Sequence, residues 1–355
     1  MVFTSLLFTF YFLPITIILY YISKEKYRNY ILLVASLLFY SYGEPRFVLV
    51  MAGTICFDYI MAFLIDKQNH MQYNISGKII LVFTILCNVG VLFVYKYLNF
   101  SIENINLFLN KNIEFKEIML PIGISFFTFQ ATSYVIDVYR GHVEVQKNPL
   151  FVALYISFFP QLIAGPIVRY STIESQIVNR SYSFEQFAEG CKRFMLGFSK
   201  KVLIANNLSM IVGDVFALDV KNANILVLWL GSLCYSLQIF FDFSGYSDMA
   251  IGLGKMFGFK FEENFNYPYI AKSITEFWRR WHISLSQWFR DYVYFPLGGS
   301  RVKIFRHVFN LFVVWILTGI WHGANFTFII WGLTYFILLV FEKFIVKPEK
   351  QNNIF

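Results

Sequence analysis

Apolar residues run almost unbroken over positions 2–22, 29–42, 46–65, 78–98, 120–139, 150–168, 224–241, 307–321 and 326–346. Crossing about 30 Å of hydrocarbon at about 1.5 Å per residue takes about 20 mainly apolar residues. Each run therefore predicts a membrane-spanning helix, with the short runs 29–42 and 307–321 tilted or joined to their neighbours. The breaks are polar: 23–29 carries Lys24, Lys26 and Arg28, and 66–78 carries Lys67 and Lys78. Alternation places these two loops on one side, and their basic residues make that side the cytoplasm, with the N-terminus outside. Met1 to Ile22 holds no charged side chain. It lacks the positive start and the small-residue cleavage site of a secretory signal, so a retained first helix is expected.

Two stretches depart from this pattern. Between 170 and 223, Ser183 stands as an N-cap with Glu185 in the first turn of a helix. The mixture of Lys192, Arg193, Lys200 and Lys201 with apolar positions then suits a helix at the membrane interface or partly inside the protein. From Phe240 to Arg301 the chain is dense in Gly, aromatic and charged residues although it lies between apolar runs. Irregular backbone at membrane depth is tolerated only where protein buries it or water lines it, so this segment predicts a re-entrant or funnel-like element. No internal repeat is visible, which argues against an inverted-repeat transporter.

Composition narrows the class. The chain has 355 residues, 57% hydrophobic, 21% aromatic and only 15% charged. Soluble domains carry about 25% charged residues, and disordered chains are poor in aromatics; both classes are excluded, leaving an all-α integral membrane protein. The net charge of +8 sits between apolar runs, where it faces lipid head groups rather than nucleic acid. Cys56, Cys87, Cys191 and Cys234 are dispersed through apolar surroundings. They suggest neither a disulfide framework nor a metal site, and read as small core residues.

Ionisable residues inside apolar segments are costly and are functional candidates for that reason. His322 lies in Thr318-Gly319-Ile320-Trp321-His322-Gly323-Ala324-Asn325, between two apolar runs. Its flanking glycines would let a backbone or a substrate approach closely; the plainer reading is a histidine satisfied by a neighbouring helix carbonyl. His282 lies in Phe277-Trp278-Arg279-Arg280-Trp281-His282. Read as one helix, this segment aligns Trp278, Trp281, Leu285 and Trp288 on a stripe suited to interface anchoring. A neutral imidazole can deprotonate a hydroxyl attacking a thioester or ester carbonyl. That chemistry requires no metal, and no third ligand has metal-site spacing. His70, His142 and His307 read as solvated loop histidines. Asp242, between phenylalanines, must find a partner, with Arg279 or Arg280 as candidates. The Gly-x-Ser-x-Gly elbow, the P-loop and the dinucleotide fingerprint are absent.

Six ordered blocks resemble the membrane-bound O-acyltransferase family, in its alginate O-acetyltransferase branch. They are Phe158 to Ile167; Phe241 to Ala250; Asn264-Phe265-Asn266-Tyr267-Pro268-Tyr269; Phe277 to Asp291; Pro296-Leu297-Gly298-Gly299-Ser300-Arg301; and Thr318-Gly319-Ile320-Trp321-His322-Gly323. The resemblance implies a single multi-pass domain over 1–355, with N-terminal spans in 1–140 and a catalytic core in 150–346. It would be a ring of transmembrane helices around a central funnel with re-entrant and interfacial helices, set in a bacterial inner membrane. By this resemblance His322 is the general base or positions the acceptor hydroxyl, and His282 orients the donor or stabilises developing charge. Trp278, Arg279, Arg280 and Trp281 shape the donor entrance, and Asp242, Trp321 and Asn325 are further candidates for substrate or donor contacts. No bound cofactor is implied. The donor is acetyl-CoA or another acyl thioester, the acceptor an exported polysaccharide reached directly or through a periplasmic or extracellular acetyltransferase partner, and the surroundings are membrane lipid. Family members usually continue beyond 346, so a C-terminally short chain is expected. The rival readings are D-alanyl transfer toward teichoic acid, a lipid-linked sugar flippase, and an inactive truncated scaffold.

Overall fold

A computed structural model describes residues 1–69, 75–219 and 224–346. Among these all regular structure is helical, with no strand. His70 lies outside the described residues. Helix α1 (Leu13–Ile22) continues a π-helical segment, Phe8–Phe12. It is followed by α2 (Glu25–Gly43), α3 (Val48–Asn69) and α4 (Ile75–Lys96). Five helices among the described residues are long and apolar enough to cross a membrane: Val48–Gln68, Ser76–Lys96, Ile225–Met256, Ile304–His322 and Phe326–Val346. Their outward faces carry large bare side chains such as Leu49, Leu86, Trp229 and Phe305, which in water would be a severe liability and in lipid are ordinary. The chain is a membrane protein.

Several expectations need correction. The run 150–168 is not one span. Helix α7 (Pro149–Ser157) breaks at Phe158, and only a short α8 (Phe159–Leu162) follows. Pro160 has no N–H, and in a continuous helix its ring would clash with the carbonyl of Ile156. The irregular backbone is tolerated because protein covers it: Phe159 N–H donates to Ser36 Oγ at 3.1 Å and Ile167 N–H to Ser284 Oγ at 3.0 Å. A further helix, α5 (Leu98–Leu109), forms where polar residues interrupt the apolar pattern. Helix α6 (Ile124–Tyr139) starts after a left-handed Gly123, four residues into its predicted run.

The stretch from 170 resolves into α9 (Tyr170–Val178), α10 (Phe184–Ser199), a π-helical segment Lys200–Ala205 and α11 (Asn206–Phe216). Ser183 is the N-cap of α10, accepting from Gln186 N–H at 3.0 Å. This helix lies partly inside the protein because it crosses α12 (Ile225–Met256), which continues well beyond the predicted end at 241. Phe240 to Met256, expected to be irregular, is therefore helical. The crossing is close. A Cβ on Gly252 would stand 2.6 Å from Phe194 N and 2.7 Å from Gly190 O. Asp248 is buried in this contact between Arg193 and Lys200, each at 2.6 Å. Around it Phe3, Phe8, Phe39, Phe159, Phe194 and Phe257 form the main apolar core.

The irregular backbone begins at Phe257 and contains two short helices, α13 (Ile274–Arg280) and α14 (Ile283–Phe289), then a π-helical segment Arg290–Tyr294. Helices α15 (Ile304–His322) and α16 (Phe326–Phe341) complete the described chain. The expected core role holds for Cys234, which is buried, and fails for Cys56, which is exposed; Cys87 and Cys191 are half-buried.

Candidate active site

The predicted tryptophan stripe does not exist, because the chain breaks between α13 and α14. His282 takes a left-handed conformation, φ 44°, which is uncommon outside glycine and is characteristic of functional sites. Backbone bonds hold the kink: Asn266 N–H donates to Arg280 O and Ile283 N–H to Asn264 O, both at 2.9 Å. The tryptophans consequently go to different places. Trp278 meets Trp315, Trp331 and Tyr335; Trp281 meets Phe265 and Phe277; Trp288 stacks on Phe129 at 3.9 Å.

The kink buries His282 to 1% exposure and turns its ring onto Asn264, Nδ1 lying 3.1 Å from Oδ1. The same oxygen accepts from Ser284 N–H at 3.2 Å and from Ser284 Oγ at 2.9 Å, while Asn264 Nδ2 donates to Ser247 Oγ at 3.0 Å. Asn264 is itself fully buried. The His282 ring also stands edge-on to Phe243 at 4.6 Å and lies 6.0 Å from the Trp321 ring.

His322 also neighbours Trp321, ring centroids 4.9 Å apart, and packs edge-on to Trp331 at 4.8 Å. Unlike His282 it is exposed. It opens on a cavity of about 260 Å³ lined by Lys96, Pro121 to Phe126, Trp321 and others. The end of α15 is tied down by α4 and the residue after it: Lys96 Nζ donates to the Trp321 carbonyl, and Tyr97 OH to the Ile320 carbonyl at 2.9 Å. A cation here complements the negative end of the helix dipole. Gly319 serves the α15–α16 packing, its Cα lying where a Cβ would meet Phe328 O. Lys96→Met is expected to cost about 1.5–3 kcal/mol, the scale of a hydrogen bond to a charged group, and to speed hydrogen exchange over Ile320 to Gly323. Unchanged exchange there would contradict the capping role.

A second cavity, about 560 Å³, lies at the opposite end of α6, lined by Asp137, Arg140, His142, Arg169, Asp291, Tyr292 and neighbours. Arg169 pairs with Asp291 at 2.6 Å, and Tyr292 OH donates to Asp137 at 2.7 Å. Burial pushes the Asp291 carboxyl up, but the Arg290 hydrogen bond and the charge of Arg169 outweigh it and hold the group below the usual carboxylate range. The two cavities are about 18 Å apart along the helix, from the rise between Ser125 and Asp137. Between them lies a layer of Phe126, Phe129, Trp288, Phe289 and Trp321 with Ile167 and Leu285. Arg28 and Asn29, in the first turn of α2, sit at the Asp137 end, since Asn29 Nδ2 donates to Ile177 O on α9, and Glu174 of α9 lines a cavity there with His142 and Asp66.

Other expected site residues fall elsewhere. Asp242 pairs with Lys201 at 2.5 Å rather than with Arg279 or Arg280, and its side chain is 40% exposed; α10 and its continuation, not α13, run beside it. Arg280 is taken by Glu276 at 2.8 Å, and Arg279 is exposed. Asn325 caps α16, accepting from Thr327 N–H at 2.9 Å. His307 is not a solvated loop residue but is buried within α15, between Tyr294 OH at 2.8 Å and Lys343 Nζ at 3.1 Å. His142 is exposed as expected, 3.8 Å from Asp137. Asn264, Ser284 and Lys96 were given no role by sequence reasoning; Asn264 and Ser284 stand in two of the blocks that carry the family resemblance, and Lys96 near the end of an apolar run. Among the described residues no three His, Cys, Asp or Glu side chains converge on a metal-sized site.

The family model described as MBOAT, membrane-bound O-acyltransferase family, matches residues 142–348. A Pseudomonas aeruginosa protein named "Probable alginate O-acetylase AlgI" is 47% identical over 97% of this chain and 66% of its own length. Its namesake in Pseudomonas putida is 44% identical over 100% of this chain and 74% of its own. The peptidoglycan O-acetyltransferase of Helicobacter pylori is 38% identical over 96% of this chain and 70% of its own. The chain thus spans about two-thirds to three-quarters of the length of these relatives.

Proposed function

This chain belongs to the membrane-bound O-acyltransferase family, and on that premise we propose that it is a multi-pass enzyme of a bacterial inner membrane that moves an acetyl group from a cytoplasmic thioester, such as acetyl-CoA, to a hydroxyl of an exported polysaccharide. The hydroxyl belongs to the polymer itself or to a partner protein that delivers the group. Acetyl transfer and the polymeric acceptor are supported by the names of the relatives, alginate O-acetylase and peptidoglycan O-acetyltransferase.

The observation that carries the reading is the pair of cavities at opposite ends of α6 together with His282 and His322, both beside the one indole of Trp321. A group transferred across a membrane needs two entrances and one reacting point. The basic residues Lys24, Lys26 and Arg28 at the start of α2 share the Asp137 end, which the positive-inside rule makes cytoplasmic; the donor enters there, and the acceptor meets His322 at the far cavity. The layer of aromatic side chains keeps the two openings from forming a continuous water path. Attack of the hydroxyl on the thioester carbonyl then requires removal of one proton and its delivery to the departing sulfur, which is histidine chemistry.

The test is transfer of labelled acetyl from acetyl-CoA in membranes expressing this chain with its exported polymer. Alkali-labile label in polymer or in a partner protein is expected. If the correctly inserted chain moves no label from any acyl thioester tried, the reading fails.

A further inference from the structure

Two polar atoms beside the reacting point are buried and unpartnered among the described residues: His282 Nε2 and Trp321 Nε1. Buried polar groups are almost always hydrogen-bonded, and an exception asks for an explanation. One atom can be only a donor, the indole N–H. The nature of the other follows from Asn264.

The backbone N–H of Ser284 points at Asn264 and can only donate, so the Asn264 atom facing it is the carbonyl oxygen. The Ser284 hydroxyl already accepts from Ile167 N–H and turns its own proton to the same oxygen. The amide nitrogen is accounted for by Ser247. The oxygen 3.1 Å from His282 Nδ1 is therefore an acceptor, and a neutral His282 must carry its proton on Nδ1. Its Nε2 is then a bare lone pair. A hydroxyl reaching both rings, whose centroids are 6.0 Å apart, would donate to His282 Nε2 and accept from the Trp321 N–H.

We propose that Asn264 is the positioning residue that makes His282 the proton acceptor of the reaction, leaving His322 to position the arriving hydroxyl. The inference rests on the acyl-transfer reading above. In the step, the hydroxyl oxygen bonds to the acyl carbon while its proton passes to His282 Nε2. The carbon–sulfur bond then breaks, and the same proton leaves with the sulfur as a thiol. Asn264 touches no reacting atom; it fixes the tautomer and ring angle, as the orienting third group does in triad-type sites.

The experiment uses the full chain in lipid, labelled with 15N-histidine and assigned by loss of signal in His282→Gln. The wild type is expected to show His282 protonated at Nδ1 and bare at Nε2. Asn264→Leu, similar in volume, is expected to lose that preference and to lower kcat about 10²–10⁴-fold, the usual contribution of a positioned proton acceptor, with KM little changed. Asn264→Asp, whose carboxylate still accepts from Nδ1–H and Ser284 N–H, is expected to restore kcat to within about tenfold of wild type, as a group that keeps the tautomer should. A wild-type spectrum showing the Nε2–H form overturns the proposal even if Asn264→Leu does not fold. So does Asn264→Leu with unchanged kcat, or Asn264→Asp no better than Asn264→Leu. Wild-type membranes that transfer no acyl group overturn the reading of function and the proton-acceptor role together, while the spectrum still decides what Asn264 does to His282.

Discussion

His322→Ala and His282→Ala should each lower acyl transfer by about 10²–10⁴-fold, the usual weight of a positioned proton-transfer group, and the double variant should be little worse than either alone. Both rings border Trp321, their centroids 6.0 and 4.9 Å from the indole, so both are expected to act on the same hydroxyl. Residues that act as a unit lose most of their joint effect at the first substitution. The measurement is kcat/KM for labelled acetyl transfer with the three variants at matched membrane abundance. Losses that simply multiply would show two independent steps, and full activity in His322→Ala would remove it from the site. The variants should still insert and fold. His322 is exposed at a cavity, and His282→Ala leaves Asn264 held by Ser284 and Ser247.

The second large effect concerns the scaffold. Gly252→Leu is expected to abolish recovery of monodisperse protein, and Gly252→Ala to cost about 1–3 kcal/mol, the usual penalty for overpacking. A Cβ at 252 would stand 2.6 Å from Phe194 N and 2.7 Å from Gly190 O, both backbone atoms of the facing helix. Neither can move unless α10 and α12 part along their crossing. Parting them would also pull Arg193 and Lys200 from the buried Asp248, leaving a carboxylate without its charges at great cost. The control is Gly213→Ala, where the added Cβ meets nothing within 4 Å. Thermal unfolding in detergent, followed by size-exclusion, separates the two. Equal behaviour of Gly252→Leu and Gly213→Ala would show that the close crossing does not hold the core.

Much of the helical framework was legible because lipid imposes a simple rule: a segment that leaves its backbone bonds internal and its side chains apolar can cross. The rule works wherever such a run is uninterrupted, as at 46–65, 78–98 and 326–346. It fails at 150–168, where Pro160 breaks a mainly apolar run, and at 240–256, where glycines and charged residues suggested irregular backbone. There Gly245, Asp248 and Gly252 are the face of a continuous helix that meets another. Composition could not separate a broken helix from a tightly crossed one, because both use small residues and buried charges.

The sequence by itself determined that the chain is a helical membrane protein and that His282 and His322 deserve attention, since an ionisable residue beside an apolar run is expensive wherever it ends up. Only the tertiary structure decided what each meets. Asn264 and His282 are 18 positions apart, and Trp321 a further 39 along; a left-handed kink and the docking of α14 against α6 and α15 bring them together. The protonation pattern of a histidine depends on which neighbouring atom donates and which accepts. That is a property of distances of about 3 Å between segments far apart in the chain, and local periodicity carries no record of it.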